Sequence, residues 1–245
     1  GQQEFLNENS MPFALTREAD RTFTLVPLGR DAALGGWAPR EVGDENTNPT
    51  PSFVGNTIRG MFLHRNRLGF ITEEACVLSQ PGDYFNFYTV SGAAVSDADP
   101  IDISASDTKP VSLKDGVSTT SGVVLLGEQA QFSLGTQEAV FSTNTAEMKK
   151  ISGYDYFGKV LPQHTGVSVM YATSAGEFTK VMELAVESIK SSSVTSETTR
   201  AVPRYIPTDI DWSASSPNND LVLFGKRGDG VYCFRFFNDC LLYTS

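Results

Sequence analysis

The chain has 245 residues, of which 40% are hydrophobic and 20% charged, a balance typical of a folded globular protein rather than a disordered one. A chain of this length can bury a sizeable core without disulfides or metal ions, as one large all-β domain or two smaller domains. Its 29 acidic and 19 basic residues give a formal charge of −10, which argues against a protein that holds DNA by neutralising its phosphates.

The three cysteines, Cys76, Cys233 and Cys240, are odd in number, far apart and without a Cys-x-x-Cys spacing. This pattern predicts neither a disulfide framework nor a zinc site, and we expect buried or incidental thiols in a reducing compartment. The N-terminus shows no basic-then-apolar signal, and no apolar run approaches the ~20 residues that a membrane span needs. We therefore expect a protein that is made in a cytoplasm and has no membrane-spanning segment.

Residues 1–56 are predicted to form an irregular Gly/Pro-rich segment that packs on the rest of the chain. Residues that break regular structure are dense here; they include Gly35, Gly36, Pro39, Gly43, Asn48-Pro49 and Pro51. Trp37 and Phe53 are the predicted anchors of this segment on the body of the protein.

Residues 57–245 are predicted to form a β-propeller-like domain, because short strand patterns joined by tight turns recur along them. The first group comprises residues 58–65, 68–72, 75–79 and 84–90, with turns at Asn66-Arg67 and at 80–83. Later groups comprise residues 122–126, 131–134 and 139–141, then 166–172 and 178–186, then 209–214, 221–225 and 231–237. After a longer first interval that holds an extra loop, the group starts recur at the roughly 40–50 residues typical of propeller blades. A sandwich would give similar strands without this spacing.

Helical patterns are scarce, and the most ambiguous stretch is Lys180–Lys190. Its apolar residues fit both a helical repeat and strand alternation. We favour a strand, because Gly176 opens the stretch as a hairpin turn would. Ser191–Thr199 is predicted to be a polar loop or a short helical turn. The overall prediction is an all-β fold of propeller-like blades made from short antiparallel strands.

Three carboxylates, Asp97, Asp99 and Asp102, lie close together and are the weak candidates for a metal site. Such hard oxygen ligands suit Ca²⁺, but the spacing is not that of an EF-hand loop and its glycine is absent. The alternative is a turn before Pro100 in which the aspartates accept hydrogen bonds from backbone N–H groups. We favour the turn and predict no bound metal.

No residue pattern indicates catalysis or a cofactor. The only histidines, His64 and His164, are isolated from any Ser-His-Asp or Cys-His arrangement and are predicted to be structural. Neither a Gly-x-Ser-x-Gly motif nor a phosphate-binding glycine loop ending in Gly-Lys-Ser/Thr is present. We therefore predict that the protein is not an enzyme.

Arg59, Arg65 and Arg67 form a local basic cluster in an acidic chain. Glu73 and Glu74 lie close enough in sequence for cross-strand ion pairs, which is the favoured interpretation. The alternative is a protein–protein interface, where arginine is enriched at energetically important positions. The three arginines are therefore the interface candidates of the chain.

The tripeptide Arg227-Gly228-Asp229 matches a known adhesion motif. It lies between two apolar strand patterns, so a hairpin turn explains it without a receptor.

Several segments, taken together and in order, closely resemble one family over nearly the whole chain. They are Asn9-Ser-Met-Pro12, Trp37-Ala-Pro-Arg40, Thr47-Asn-Pro-Thr-Pro-Ser-Phe53, Asn66-Arg-Leu-Gly-Phe70, Pro81-Gly-Asp-Tyr-Phe-Asn-Phe87, Asp97-Ala-Asp-Pro-Ile-Asp102 and Val202-Pro-Arg-Tyr-Ile-Pro207. The family is that of the tail-nozzle proteins of short-tailed bacteriophages (podophages), also called tail tubular protein B. No single segment is diagnostic, and the combination carries the resemblance.

The resemblance implies a virion protein, assembled in the host cytoplasm, that forms a hexameric ring below the portal and the tail adaptor protein. It also implies a β-propeller-like domain in each subunit, a channel through which DNA leaves the capsid, and a tail fibre protein attached near the adaptor. Members of the family are much longer than this chain, so the resemblance implies an internal portion with an incomplete propeller. The end departs from the family pattern, and from about residue 240 a truncated or non-native tail is expected.

The sequence thus predicts a structural component of a phage tail nozzle that passes DNA without binding it tightly. An acidic channel wall would repel the phosphate backbone and keep moving DNA from arrest. One alternative is a glycan-binding or glycan-degrading propeller with two carboxylates across a cleft. A second alternative is an adhesin stabilised by calcium at the three aspartates.

Overall fold

Four four-stranded antiparallel sheets follow one another along the chain after a two-stranded hairpin, in a computed structural model of the protein. The structure describes residues 6–29, 35–185, 194–237 and 240–244. The hairpin pairs β1 (Phe13–Arg17) with β2 (Phe23–Pro27). Short 3-10 turns occur at Glu8–Ser10, Thr198–Ala201 and Pro217–Asn219, and none of the described residues lies in an α-helix.

Each sheet is a meander in which consecutive strands are hydrogen-bonded neighbours. Sheet 1 contains β3 (Gly60–His64), β4 (Arg67–Ile71), β5 (Ala75–Leu78) and β6 (Ile101–Ser104). Sheet 2 contains β7 (Leu113–Ser118), β8 (Val123–Gly127), β9 (Gln131–Gly135) and β10 (Glu147–Ser152). Sheet 3 contains β11 (Gln163–His164), β12 (Ser168–Ala175), β13 (Phe178–Ala185) and β14 (Val194–Glu197). Sheet 4 contains β15 (Trp212–Ser216), β16 (Leu221–Gly225), β17 (Val231–Phe237) and β18 (Cys240–Thr244).

The all-β prediction is confirmed, and the blade-like organisation agrees with it. The sheets begin at residues 60, 113, 163 and 212, so their starts lie about 50 residues apart. This spacing is more even than predicted, because the longer first interval disappears once β7 and β11 are counted. The four described sheets are separate, and none closes on itself.

The sheets stack face to face in chain order, with one apolar layer between each neighbouring pair. Val123 and Leu125 of β8 point into the layer shared with sheet 1, whereas Val124 and Leu126 point into the layer shared with sheet 3. Burial on both faces explains why this strand is a continuous apolar run instead of an alternating one. Sheet 3 meets sheet 4 through a further layer that contains Met170 and Phe224.

The remaining face of sheet 1 is covered by the N-terminal segment. Trp37 and Phe53 are buried there against Phe70 of β4, with ring centroids 5.9 and 5.2 Å away respectively. Phe87 stacks on the same Phe70 ring at 5.1 Å. The predicted anchoring role of Trp37 and Phe53 is therefore confirmed.

Two predicted strands are wrong. Residues 84–90 lie in the long loop between β5 and β6, where Phe87 and Tyr88 are buried. Their aromatic character reflects packing on the Trp37 cluster and not strand pairing, and the fourth strand of sheet 1 is Ile101–Ser104. Residues 139–141 likewise lie in a loop, and the fourth strand of sheet 2 is Glu147–Ser152, a charged and largely solvent-facing segment with little strand signal.

The prediction of an irregular N-terminal segment missed the β1–β2 hairpin. The strand predicted for residues 180–190 is confirmed as far as Ala185, and residues 186–190 lie outside the described part of the chain. The polar loop or short helical turn predicted at residues 191–199 contains β14 and the start of the 3-10 turn Thr198–Ala201, while residues 191–193 are not described. Residues 240–244, where an atypical tail was expected, form β18 and pair with β17.

Candidate interaction surfaces and the Arg67-anchored loop

Arg67 is buried, with 2% of the residue exposed, and its guanidinium binds the loop between β5 and β6. Its Nη1 donates to the backbone carbonyls of Ser79 and Asp99 at 2.8 and 2.7 Å, and Nη2 donates to the carbonyl of Asp97 at 2.9 Å. Burial lowers the pKa of Arg67, and the nearby Asp99 carboxylate opposes that shift. Arg67, a candidate for a protein–protein interface, thus binds the turn that contains the candidate metal ligands Asp97 and Asp99.

The three aspartates do not converge on one point. Asp99 is buried and its Oδ2 accepts from the Ser96 N–H at 2.7 Å, while the Asp102 Oδ2 accepts from the Ser52 N–H at 2.8 Å. Asp97 is exposed and contributes its carbonyl to Arg67. Across the described ranges, no group of three or more His, Cys, Asp or Glu side chains is arranged to hold a metal ion. Asp99 bonds a backbone N–H within the turn, as the favoured interpretation predicted, whereas the bond of Asp102 joins β6 to the N-terminal segment.

The other two arginines lie on the surface and have separate partners. Arg59 pairs with Glu73 at 3.3 Å. Arg65 places its guanidinium 5.6 Å from the centre of the Phe141 ring and, with Asn66, forms the β3–β4 turn at positive φ values of 45° and 61°. The turn therefore lies one residue earlier than predicted. The three arginines do not form one basic patch, and an interface role remains a prediction for the two exposed ones.

His64 is buried beside Ser118, and its Nδ1 lies 2.8 Å from the Ser118 Oγ. Burial and the adjacent Arg65 charge lower the pKa of His64 to about 4. The Nδ1 atom, which a carboxylate would contact in a catalytic triad, faces the Ser118 hydroxyl instead, and the buried Nε2 atom has no hydrogen-bond partner among the described residues. His164 lies in β11, where its carbonyl accepts from the Ser215 Oγ at 3.1 Å, and so ties sheet 3 to sheet 4.

The Arg-Gly-Asp tripeptide lies in the hairpin between β16 and β17. Gly228 has a φ of 77°, a conformation that favours glycine, and the Arg227 N–H donates to Asp211 Oδ1 at 3.1 Å. Lys226 pairs with Asp209 at the base of the same turn. The predicted hairpin turn is confirmed.

The β1–β2 hairpin exposes large apolar side chains that the sequence interpretation missed. Phe13 and Leu15 of β1 are 46% and 65% exposed, and Phe23 and Leu25 of β2 are 63% and 64% exposed. The alternation of these apolar residues with other residues, on both sides of the Asp20-Arg21 turn, was the sequence signal for a hairpin. The glycines and prolines that follow led to the prediction of an irregular segment instead.

Comparison with known proteins places the chain. The family described as bacteriophage nozzle protein matches residues 1–240. The chain belongs to the bacteriophage nozzle protein family. The tail tubular protein gp12 of Escherichia phage T7 is 33% identical over 241 residues, which cover 96% of this chain and 29% of that protein.

As a member of the nozzle family, the chain is a structural component of a phage tail and hence of the virion, as the sequence predicted. The glycan-binding and adhesin alternatives are not favoured. Within the described residues, no helix is long and apolar enough to cross a membrane. The chain spans less than a third of the length of the T7 protein that it matches.

Proposed function

We propose that this chain is part of the wall of a tail nozzle through which DNA leaves the phage capsid. Several copies, six by the resemblance, would surround the channel and present a platform to the tail adaptor and tail fibre proteins. The observation that carries the proposal is the match to the nozzle family over residues 1–240, together with the likeness to a tail tubular protein.

The stacked sheets support a wall that keeps its shape. Each layer between neighbouring sheets is apolar and buried, so bending one sheet against the next would disturb close packing. In two of the three neighbouring pairs of sheets the first strands lie near each other, with β3 beside β7 and β11 beside β15. This is the arrangement of inner strands around a propeller axis, and we propose that the four sheets are consecutive blades of a β-propeller-like domain.

The charge of the chain supports passage of DNA and not capture. The net charge is −10, and some lysines and arginines of the described chain pair with carboxylates. These pairs include Arg40–Glu45, Arg59–Glu73, Lys114–Glu128, Lys150–Asp107 and Lys226–Asp209. A wall with this excess of acidic residues attracts the phosphates of DNA only weakly. The proposed role includes no chemical reaction.

Electron microscopy of the full-length protein, alone and mixed with its adaptor, tests the proposal. We expect rings with a central channel wide enough for duplex DNA, which stack coaxially on the adaptor. Particles that remain monomeric at every concentration, both alone and with the adaptor, would overturn it. Hydrolysis of a host glycan by the purified protein would overturn the exclusion of a reaction.

A further inference from the structure

The β1–β2 hairpin has one apolar face that nothing in the described chain covers. The register pairs Leu15 with Leu25 and places Phe13 and Phe23 on the same side of the two strands. All four side chains are between 46% and 65% exposed. On the opposite side Ala14 packs against the cluster that contains Trp37, whereas Thr24, nearer the turn, is exposed.

Such a face has an energetic consequence. A two-stranded hairpin is marginally stable in water by itself, and apolar patches of several hundred Å² on a protein surface usually mark an interaction site. From the exposed fractions and side-chain areas of about 150–250 Å², the patch covers on the order of 400 Å². That is about half of the ~800 Å² per partner typical of a stable two-protein interface. The hairpin therefore suits one contact within a larger assembly better than an isolated dimer.

The charges on the hairpin indicate which partner fits. Residues 13–27 carry Arg17, Glu18, Asp20 and Arg21 and are neutral overall, whereas the whole chain carries −10. Two copies of an acidic chain repel each other wherever their acidic surfaces meet. Copies can touch through a neutral apolar face without this repulsion. A basic partner would instead be attracted to the acidic surfaces of the chain.

We propose that the apolar face of the β1–β2 hairpin packs against a second copy of this chain and forms part of the contact between neighbouring subunits. The inference rests on the proposed ring of nozzle subunits. A ring uses a heterologous contact, in which the hairpin of one subunit meets a different surface of the next. Each subunit then donates one hairpin and receives one.

The test compares two charge-matched variants of the full-length protein by sedimentation velocity. Leu15→Asp with Leu25→Asp places two carboxylates on the apolar face, and Thr16→Asp with Thr24→Asp places the same charges on the adjacent cross-strand pair of the other face. We expect the leucine variant to weaken ring assembly at least tenfold in concentration and the threonine variant to assemble like the wild type. Equal thermal unfolding temperatures would show that both variants fold.

The outcomes separate the inference from the proposed function. If the wild type forms no ring, the proposed function fails. If the wild type and the leucine variant form rings equally well, only the hairpin inference fails. Rings that are intact but no longer bind the adaptor would assign the hairpin to the adaptor and overturn the inference. As a second readout, an environment-sensitive dye on Leu15→Cys should shift to the blue on assembly, and an unchanged spectrum would contradict burial of the face.

Discussion

Arg67 and Asp99 are joined by a buried hydrogen bond of 2.7 Å from the Arg67 guanidinium to the Asp99 backbone carbonyl. The bond ties the first residue of β4 to the end of a long loop, and the same guanidinium also binds the carbonyls of Ser79 and Asp97. A planar guanidinium can serve three carbonyls in fixed directions, which the single ammonium of lysine cannot do equally well. One side chain thus joins the beginning and the end of the loop that carries Phe87 onto the Trp37 cluster.

Replacing Arg67 should destabilise the protein strongly. Arg67→Met leaves three carbonyls without their donor in a buried site, and we expect a loss of about 2–4 kcal/mol in the free energy of unfolding. Chemical denaturation monitored by tryptophan fluorescence checks this, since Trp37 reports on the same cluster. The matched control is Arg59→Met, which removes one exposed ion pair with Glu73 and should change stability by less than about 1 kcal/mol. Equal effects of the two substitutions would contradict the anchoring role.

The arginine cluster illustrates what the sequence could predict at the candidate site. Spacing identified Arg59, Arg65 and Arg67 as neighbours, and it correctly offered an ion pair for Arg59. The spacing could not show that the Arg67 side chain is buried. Its acceptors are backbone carbonyls up to 32 residues away, and the sequence does not indicate which carbonyls will accept a hydrogen bond. The turn at the aspartates was predicted from local chemistry, whereas its dependence on Arg67 is a long-range contact.

Acid should weaken the protein through His64. Its pKa is about 4 in the folded protein against 6.5 for an unperturbed histidine, so the unfolded chain takes up a proton first. Stability should therefore fall as the pH drops from about 6.5 to about 4, and this group has no further effect below that range. We expect a loss of roughly 1–2 kcal/mol after allowance for solvent screening.

Thermal unfolding between pH 7 and pH 4 measures this effect in the wild type and in His64→Gln. The substituted protein should show a flatter profile across that range. Glu45 provides an internal check, because its hydrogen bond with Arg40 lowers the pKa of that carboxyl to about 2 and its contribution is lost only below about pH 4.5. Parallel profiles for the two proteins would show that His64 does not carry the acid sensitivity.

Calcium should not bind tightly at Asp97, Asp99 and Asp102. Ca²⁺ needs six to eight oxygen ligands, while here two of the carboxylates accept backbone N–H groups in different directions. Isothermal titration calorimetry should detect no micromolar site, and millimolar Ca²⁺ should leave the melting temperature unchanged. Binding at micromolar Ca²⁺ that disappears in Asp99→Ala would show that the loop rearranges around a metal.

The strands that the sequence located best are those buried on both faces or closed by tight turns. Val123–Gly127 and Leu221–Gly225 are apolar runs between turn residues, and both were predicted within one residue of their bounds. The outermost strands were missed, because Glu147–Ser152 and Val194–Glu197 face solvent and have mixed polar composition. The even spacing of the sheets became visible only in the structure, since the first strands Leu113–Ser118 and Gln163–His164 are polar or very short.

Duplex DNA should bind the isolated chain very weakly at physiological salt. Affinity for DNA comes mainly from lysines and arginines that displace counterions. In this chain acidic residues outnumber basic ones, and the formal net charge is −10. The structure adds that Arg67 is buried and that Arg59 pairs with Glu73. We expect a dissociation constant above about 10⁻⁴ M in a fluorescence anisotropy titration, weaker than typical non-specific binders.

A charge variant makes this titration informative about the channel wall. Glu73→Gln with Glu128→Gln frees Arg59 and Lys114 from their carboxylate partners, without adding a cation. DNA binding should strengthen in this variant and weaken again as salt is raised, because each newly freed cation releases condensed counterions. Submicromolar binding by the wild type, with a steep salt dependence, would reveal a basic face and contradict a wall that repels DNA. If the variant and the wild type bind equally weakly, then the net charge, and not the local ion pairs, keeps DNA from binding.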